Sequence, residues 1–151
     1  MADTIREQII VAAMTQLAEI TVANGYQYTM TTPKRAQKAI DPRYFPVSVA
    51  FPQPEENVAA YGKNSLEFIL RVESHRTIGA GENASQIQEK MLGDLIKNLT
   101  DQADVWSALV ENIAYTGGGP AEQPEAEDTT TAVYVLILVK YKTKIGNPYE
   151  Q

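Results

Sequence analysis

The residues that could carry catalysis are few in this 151-residue chain. His75 is the single histidine, in the segment ESHRT, and a lone imidazole without a neighbouring nucleophile does not predict a catalytic triad. The chain contains no cysteine, which excludes disulfides, thiolate zinc sites and cysteine nucleophiles. A cysteine-free chain is also typical of a protein that works in a reducing cytoplasm.

Two acidic clusters raise the question of a metal site or a carboxylate pair. They comprise Glu55, Glu56, Glu125, Glu127 and Asp128. Their spacing matches no calcium loop, and solvated loop acids are the favoured interpretation. The glycine segments GAGEN (79–83) and TGGGP (116–120) lack the lysine and the hydroxyl residue of a phosphate-binding loop. We therefore expect neither enzyme activity nor a cofactor nor a bound metal.

One basic cluster, Lys34, Arg35 and Lys38, stands out in an acidic chain of formal net charge −6. A solvated strand face is the favoured interpretation, and a contact for an acidic partner is the alternative. The overall charge argues against binding to a phosphate backbone, which needs clustered cations. No apolar stretch approaches the ~18 residues of a membrane span, and the N-terminus lacks the pattern of an export signal.

Hydrophobic periodicity predicts two helices, over about 3–22 and from Asn83 or Ser85 to about Leu99. Alternating patterns predict strands over 26–30, 45–52, 64–76, 108–116 and 130–141, with a short edge strand or extended loop at 34–40. This order lacks the strict alternation of a parallel sheet. It predicts a single α+β domain, 1–151, in which a mostly antiparallel twisted sheet carries both α-helices on one face.

Two further segments read as connections. The polar, proline-rich stretch 52–64 predicts a hairpin-like excursion between strands. The stretch 117–128 combines glycines, prolines and four acids, which predicts a flexible acidic loop. We expect that loop to become ordered against a neighbouring molecule, with Gly117, Gly118 and Gly119 contributing to a partner contact together with the basic cluster.

The run TTAVYVLILVKY is apolar on both sides of a strand. Tyr134, Leu136 and Leu138 point away from the side formed by the alternate residues from Val133 to Tyr141. Two helices can cover only one face, and leaving the other in water forgoes roughly 2 kcal/mol for each large side chain. Either the segment 53–63 folds back over this face, or another copy of the chain covers it. We favour the second copy.

That second copy would need a polar rim around the apolar contact. Glu67 and Arg71 alternate with the core positions of the strand over 64–76, so they are the expected rim or intersubunit ion-pair residues. The predicted subunit interface is therefore Tyr134, Leu136, Leu138, Glu67 and Arg71.

The overall layout resembles the small tail proteins of tailed bacteriophages, in particular the tail terminator group typified by the minor tail protein U family. The resemblance rests on the phrases IREQIIVAAMTQLAEI, RAQKAIDPRYFPVSVAFPQPEE, LEFILRVES, LGDLIKNL and VKYKTKIGNPYE, which together span nearly the whole chain. It implies a non-enzymatic virion protein, assembled in the host cytoplasm, that forms a hexameric ring on the last ring of the tail tube.

Such a ring stops tube growth and presents a surface for joining the head. The implied partners are other copies of the chain, the tail tube protein and a head-completion or neck protein. DNA would pass through the bore without specific binding, which an acidic subunit suits. Two alternatives remain: another neck or head-completion protein, and a small-molecule-binding α+β domain.

Overall fold

The computed structural model describes residues 2–37, 40–60, 62–101, 109–121 and 129–151. These residues form two α-helices and five strands. The helices are α1 (Ile5–Ala18) and α2 (Ala84–Thr100), and the strands are β1 (Lys34–Arg35), β2 (Val47–Ala60), β3 (Lys63–Thr77), β4 (Asn112–Pro120) and β5 (Thr130–Lys144).

One five-stranded sheet organises the chain, in the order β1-β2-β3-β5-β4. Every neighbouring pair is antiparallel except β1 with β2, which is parallel. Helix α2 connects β3 to β4, and β5 then inserts between these two strands. The α+β prediction of a mostly antiparallel sheet with two helices is confirmed.

Both helices begin at side-chain caps that satisfy backbone N–H groups left free at a helix start. The Thr4 hydroxyl accepts from the Glu7 amide, and the Asn83 side chain accepts from the amides of Ser85 and Gln86. The buried positions of α2 include Ile87, Met91, Leu95 and Leu99, which recur at four-residue steps as predicted.

The core lies between the helices and one face of the sheet. β3 contributes Phe68, Leu70 and Val72, and these pair directly with β5 residues of the same cluster. β5 contributes its alternate residues from Val133 to Tyr141, all buried. Residues of α1 and α2 belong to the same cluster, so both helices cover this one face. Because β3 is about 50 Å long while α2 is only about 25 Å, the far end of the β2–β3 hairpin extends beyond the helices.

Three predicted segments differ in the structure. No strand forms at 26–30, because the amides of Gln27 and Tyr28 donate to the buried Asp94 carboxylate at 2.9 to 3.1 Å instead of to a ladder. The proline-rich stretch 53–60 is not an excursion; it continues β2 beside β3 after a register shift between Pro52 and Glu55.

The prediction of a flexible loop over 117–128 is wrong for its first four residues. Gly117–Pro120 belong to β4 and pair with β5 opposite Leu136 to Val133. Backbone hydrogen bonds to the long β5 stabilise these residues by more than the entropy that the glycines lose when they become ordered. The rest of the predicted loop, 122–128, lies outside the described residues, as does Lys38.

Candidate interaction face

The sheet face opposite the helices carries the predicted interface residues. Directly paired residues point to the same side of a sheet, so β3 and β5 together define this surface, which we call the open face. From these two strands its central residues are Glu67, Ile69, Arg71, Glu73, Tyr134, Leu136, Leu138 and Lys140. The structure thus brings Glu67 and Arg71 beside Tyr134, Leu136 and Leu138.

An apolar strip runs along the middle of the open face. Leu136 and Leu138 are partly exposed, whereas the alternating neighbours Val135 and Ile137 are fully buried beneath the helices. Ile69 lies directly opposite Leu138 in the register and is also partly exposed. Neither helix covers this strip. Sequence analysis missed Ile69, although its alternation with Glu67 and Arg71 was available as a signal.

Charged residues frame the strip and compensate one another. Arg71 Nη2 lies 2.8 Å from Glu73 Oε1, and its guanidinium stands 4.2 Å from the centre of the Tyr134 ring. Lys140 Nζ lies 3.9 Å from Glu67 Oε2. These two cations and two anions cancel, so β3 and β5 together add no net charge to the open face although the chain is acidic.

β4 adds almost no side-chain bulk to the open face. Ala114 lies opposite Leu138, and Gly117 and Gly119 lie opposite Leu136 and Tyr134. A Cβ built on Gly117 or Gly119 would meet no atom within 4 Å. Beside the leucines the open face is therefore formed by partly exposed strand backbone and not by a mobile loop, while the partner contact of Gly117, Gly118 and Gly119 stays a prediction.

One end of the open face is covered by the chain itself. Val47 and Val49 are fully buried, and their register opposite His75 and Glu73 points them to the open face. Phe45 stacks on His75 with ring centroids 5.6 Å apart. The turn before β2 therefore covers this end. Residues 53–60 of the predicted fold-back segment 53–63 do not cover this face: they continue β2, and Val58 remains 52% exposed. Tyr61 lies outside the described residues.

A groove of about 540 Å³ opens where the register of β2 shifts. Its apolar floor includes Ile69, Leu136 and Leu138. Its polar lining includes Glu56 and Glu67, which lie directly opposite each other across β2 and β3. Like charges in that position repel.

A third carboxylate of the groove, Glu55, already has partners. It accepts a hydrogen bond from the Tyr141 hydroxyl and lies 3.7 Å from Arg6 Nη1. Arg6 also donates to the Gln53 carbonyl at 2.6 Å and stands 4.5 Å from the centre of the Phe68 ring. Burial, and then the bond to Glu55, raise the pKa of Tyr141 well above its ordinary value.

The predicted basic cluster divides in the structure. Arg35 donates to both Glu7 carboxylate oxygens, at 2.6 and 2.8 Å, and this bond lowers the pKa of Glu7. Lys34 instead stands 5.2 Å from the centre of the Tyr44 ring, and Arg43 approaches the same ring at 5.2 Å. Sequence analysis missed Arg43 and Tyr44, whose proximity to Lys34 depends on the turn at Pro42–Tyr44.

Nothing in this arrangement resembles a reaction centre. His75 contacts Glu73 at 3.5 Å and the Phe45 ring, with no nucleophile beside it in these contacts. Across the described residues, no three acids or histidines gather closely enough to hold a metal ion. Neither helix in that part of the chain has the length and apolar character needed to cross a membrane.

No protein-family model matches the sequence, and no curated protein matches it. The functional argument therefore depends on the open face and on the likeness of layout described above.

Proposed function

We propose that this protein is a structural subunit of a tailed-bacteriophage virion. Copies associate through the open face into a ring, most simply a hexamer, on the end of the tail tube. The ring stops tube growth and offers the surface to which the head or neck is joined. The observation that carries this proposal is the uncovered apolar strip of Ile69, Leu136 and Leu138. Exposed patches of this kind mark interaction sites.

The open face is large enough for a stable contact. Four strands spaced about 4.8 Å apart, over about nine residues at about 3.3 Å each, give roughly 570 Å² per copy. Two copies would bury roughly 1,100 Å², which is just above the roughly 1,000 Å² that a biological interface should exceed. The charges that β3 and β5 place on this face also cancel, which limits the repulsion between copies of an acidic chain.

The two edges of the sheet are less suited to association than its face. β1 covers only Val49 and Ala50 of β2, but the rest of that edge carries Pro52, Pro54 and a register shift. The β4 edge carries its own register shift and ends at Pro120. Prolines and bulges prevent another chain from extending a sheet. These features support contact through the open face over contact through a sheet edge.

Light scattering and electron microscopy test the proposal. We expect the purified protein, alone or mixed with tail tubes, to form closed rings or tube-end caps. The double variant Leu136→Ser/Leu138→Ser should abolish both. The matched control is Val11→Ser, which removes an apolar side chain that is 48% exposed on α1. The proposal fails if the wild-type protein stays monomeric at high concentration and also ignores tube ends.

A different neck or head-completion role would use the same open face, so oligomerisation alone does not separate the two. Labelling the protein in intact virions and locating it by electron microscopy does. A position at the tube end supports tail termination, and a position on the head side of the junction supports the neck role.

A further inference from the structure

The open face carries a groove and, near it, an exposed cluster of opposite charge. We propose that the groove of one copy binds the cluster formed by Lys34, Arg43 and Tyr44, which we call the basic knob, of a second copy. This inference rests on the proposed function, because it specifies the contact by which the copies join.

Arg71 is the one cation among the described residues that line the groove, and its guanidinium is paired with Glu73 at 2.8 Å. Glu56 and Glu67 lie directly opposite each other, and Lys140 reaches only Glu67, at 3.9 Å. Glu56 is exposed and has no hydrogen-bond or ion-pair partner among the described residues. A cation arriving from outside would relieve the repulsion between the two carboxylates.

The basic knob has the composition of an interface anchor. Tyr44 is 44% exposed, with the cations of Lys34 and Arg43 on its ring. Tyrosine and arginine are enriched at interface hot spots. The knob is also held in place: Asp41 caps the turn, and the Thr31 hydroxyl donates to the Tyr44 carbonyl at 2.6 Å. A preorganised surface loses less entropy on binding.

The two surfaces are complementary in chemistry, with Lys34 carrying the knob cation that is unpaired within the described part of the chain, because Arg43 Nε lies 3.1 Å from Asp41 Oδ2. The apolar floor of the groove can take up the Tyr44 ring, while Glu56 and Glu67 meet the flanking cations. A cleft of about 540 Å³ lies within the usual range for burying a group of this size.

The occupant is a second copy, because within one chain the knob lies outside the groove: Lys34, Arg43 and Tyr44 are not among its lining residues. Lys34 is fixed opposite Val49, whereas the first residue of β2 that lines the groove is Gln53, about 13 Å further along the strand. Knob and groove are different surfaces, so their contact is heterologous. Heterologous contacts close into rings when the rotation allows.

Charge reversal tests the pairing. Glu56→Lys and Arg43→Glu, each alone, should weaken self-association at least about tenfold, because like charges would meet across the interface. The combined variant Glu56→Lys/Arg43→Glu should restore self-association to within about threefold of wild type. Glu89→Lys and Lys90→Glu, both exposed on α2, make the same changes in net charge away from the open face and should leave association unchanged. Circular dichroism checks that every variant is folded.

The outcomes separate this inference from the proposed function. If the single reversals leave association intact while Leu136→Ser/Leu138→Ser still abolishes it, the knob–groove contact is wrong and the proposed function stands. The contact is also wrong if the double reversal fails to restore association, or if the reversals affect only binding to tail tubes. If wild type never associates, alone or on tubes, both ideas fail.

Discussion

Gly118 and Gly117 are neighbours in β4, yet a methyl group should have opposite effects at the two positions. A Cβ on Gly118 would lie 2.6 Å from the Tyr134 carbonyl oxygen, 3.1 Å from the Tyr115 hydroxyl and 3.2 Å from Leu92 Cδ1. The first contact is with backbone of the paired strand, so β4 must shift. Gly118→Ala should therefore cost about 1–3 kcal/mol in the free energy of unfolding, as for other overpacked sites.

Gly117→Ala is the matched control, because its Cβ meets nothing within 4 Å on the open face. Losing the chain entropy of glycine should stabilise this variant by about 0.4–1 kcal/mol. Urea unfolding followed by circular dichroism at one protein concentration measures both. Thermal unfolding of the same variants gives a second measure, because a chain of this size shifts in Tm by about 2–4 °C per kcal/mol. Equal stabilities would refute the assignment of Gly118 to the packed side and Gly117 to the open side.

Three further changes test contacts that hold the sheet and helices together. Arg35→Gln should cost about 0.2–1 kcal/mol at neutral pH, because the partners are about a third or more exposed. The folded pKa of Glu7 is lowered, so the stabilisation by the Arg35–Glu7 pair is present above the unfolded pKa and is lost as pH falls through the folded pKa. If wild type and Arg35→Gln still differ in stability after Glu7 is protonated, this account of the pair is contradicted. The pKa of Tyr141 is raised in the folded state, so its contribution to the free energy of unfolding is fully present below the unfolded tyrosine pKa. This contribution is lost as pH rises toward and through the folded pKa. Tyr141→Phe should therefore lose less stability than wild type in alkaline unfolding, and equal losses would argue against it. Asp94→Ala leaves the Gln27 and Tyr28 amides unpaired and should cost about 1–3 kcal/mol in thermal unfolding; an unchanged Tm would show that other groups satisfy them.

Periodicity alone predicted the elements that are half-buried over their whole length. In α2 the buried residues recur every four positions, and in β3 Phe68, Leu70 and Val72 alternate with charged or exposed neighbours. The sequence also predicted that β5 has two apolar sides, because apolar residues occupy successive positions along it. Such segments can be predicted from local sequence because their hydrophobic periodicity agrees with the face that they bury in the folded chain.

Long-range partners decided the segments that were predicted wrongly. The prolines at 52 and 54 indicated a connection, but β3 is long enough to pair with β2 beyond them, and a register shift accommodates the irregularity. Gly117–Pro120 form a strand because β5 offers a ladder. The basic knob could not be predicted, since Lys34 and Tyr44 meet only through the turn that precedes β2. The approach of Lys34 to Tyr44 depends on tertiary structure, which the local sequence around each residue does not specify.

Protection of the open face on assembly is the most direct test of the account. Hydroxyl-radical footprinting can compare free protein with assembled rings or capped tubes, using Val11 on α1 as the internal reference. We predict that oxidation of Leu136, Leu138 and Tyr134 falls several-fold on assembly while Val11 remains equally reactive. Unchanged oxidation of these three side chains in the assembled state would contradict the claim that neighbouring copies cover the open face.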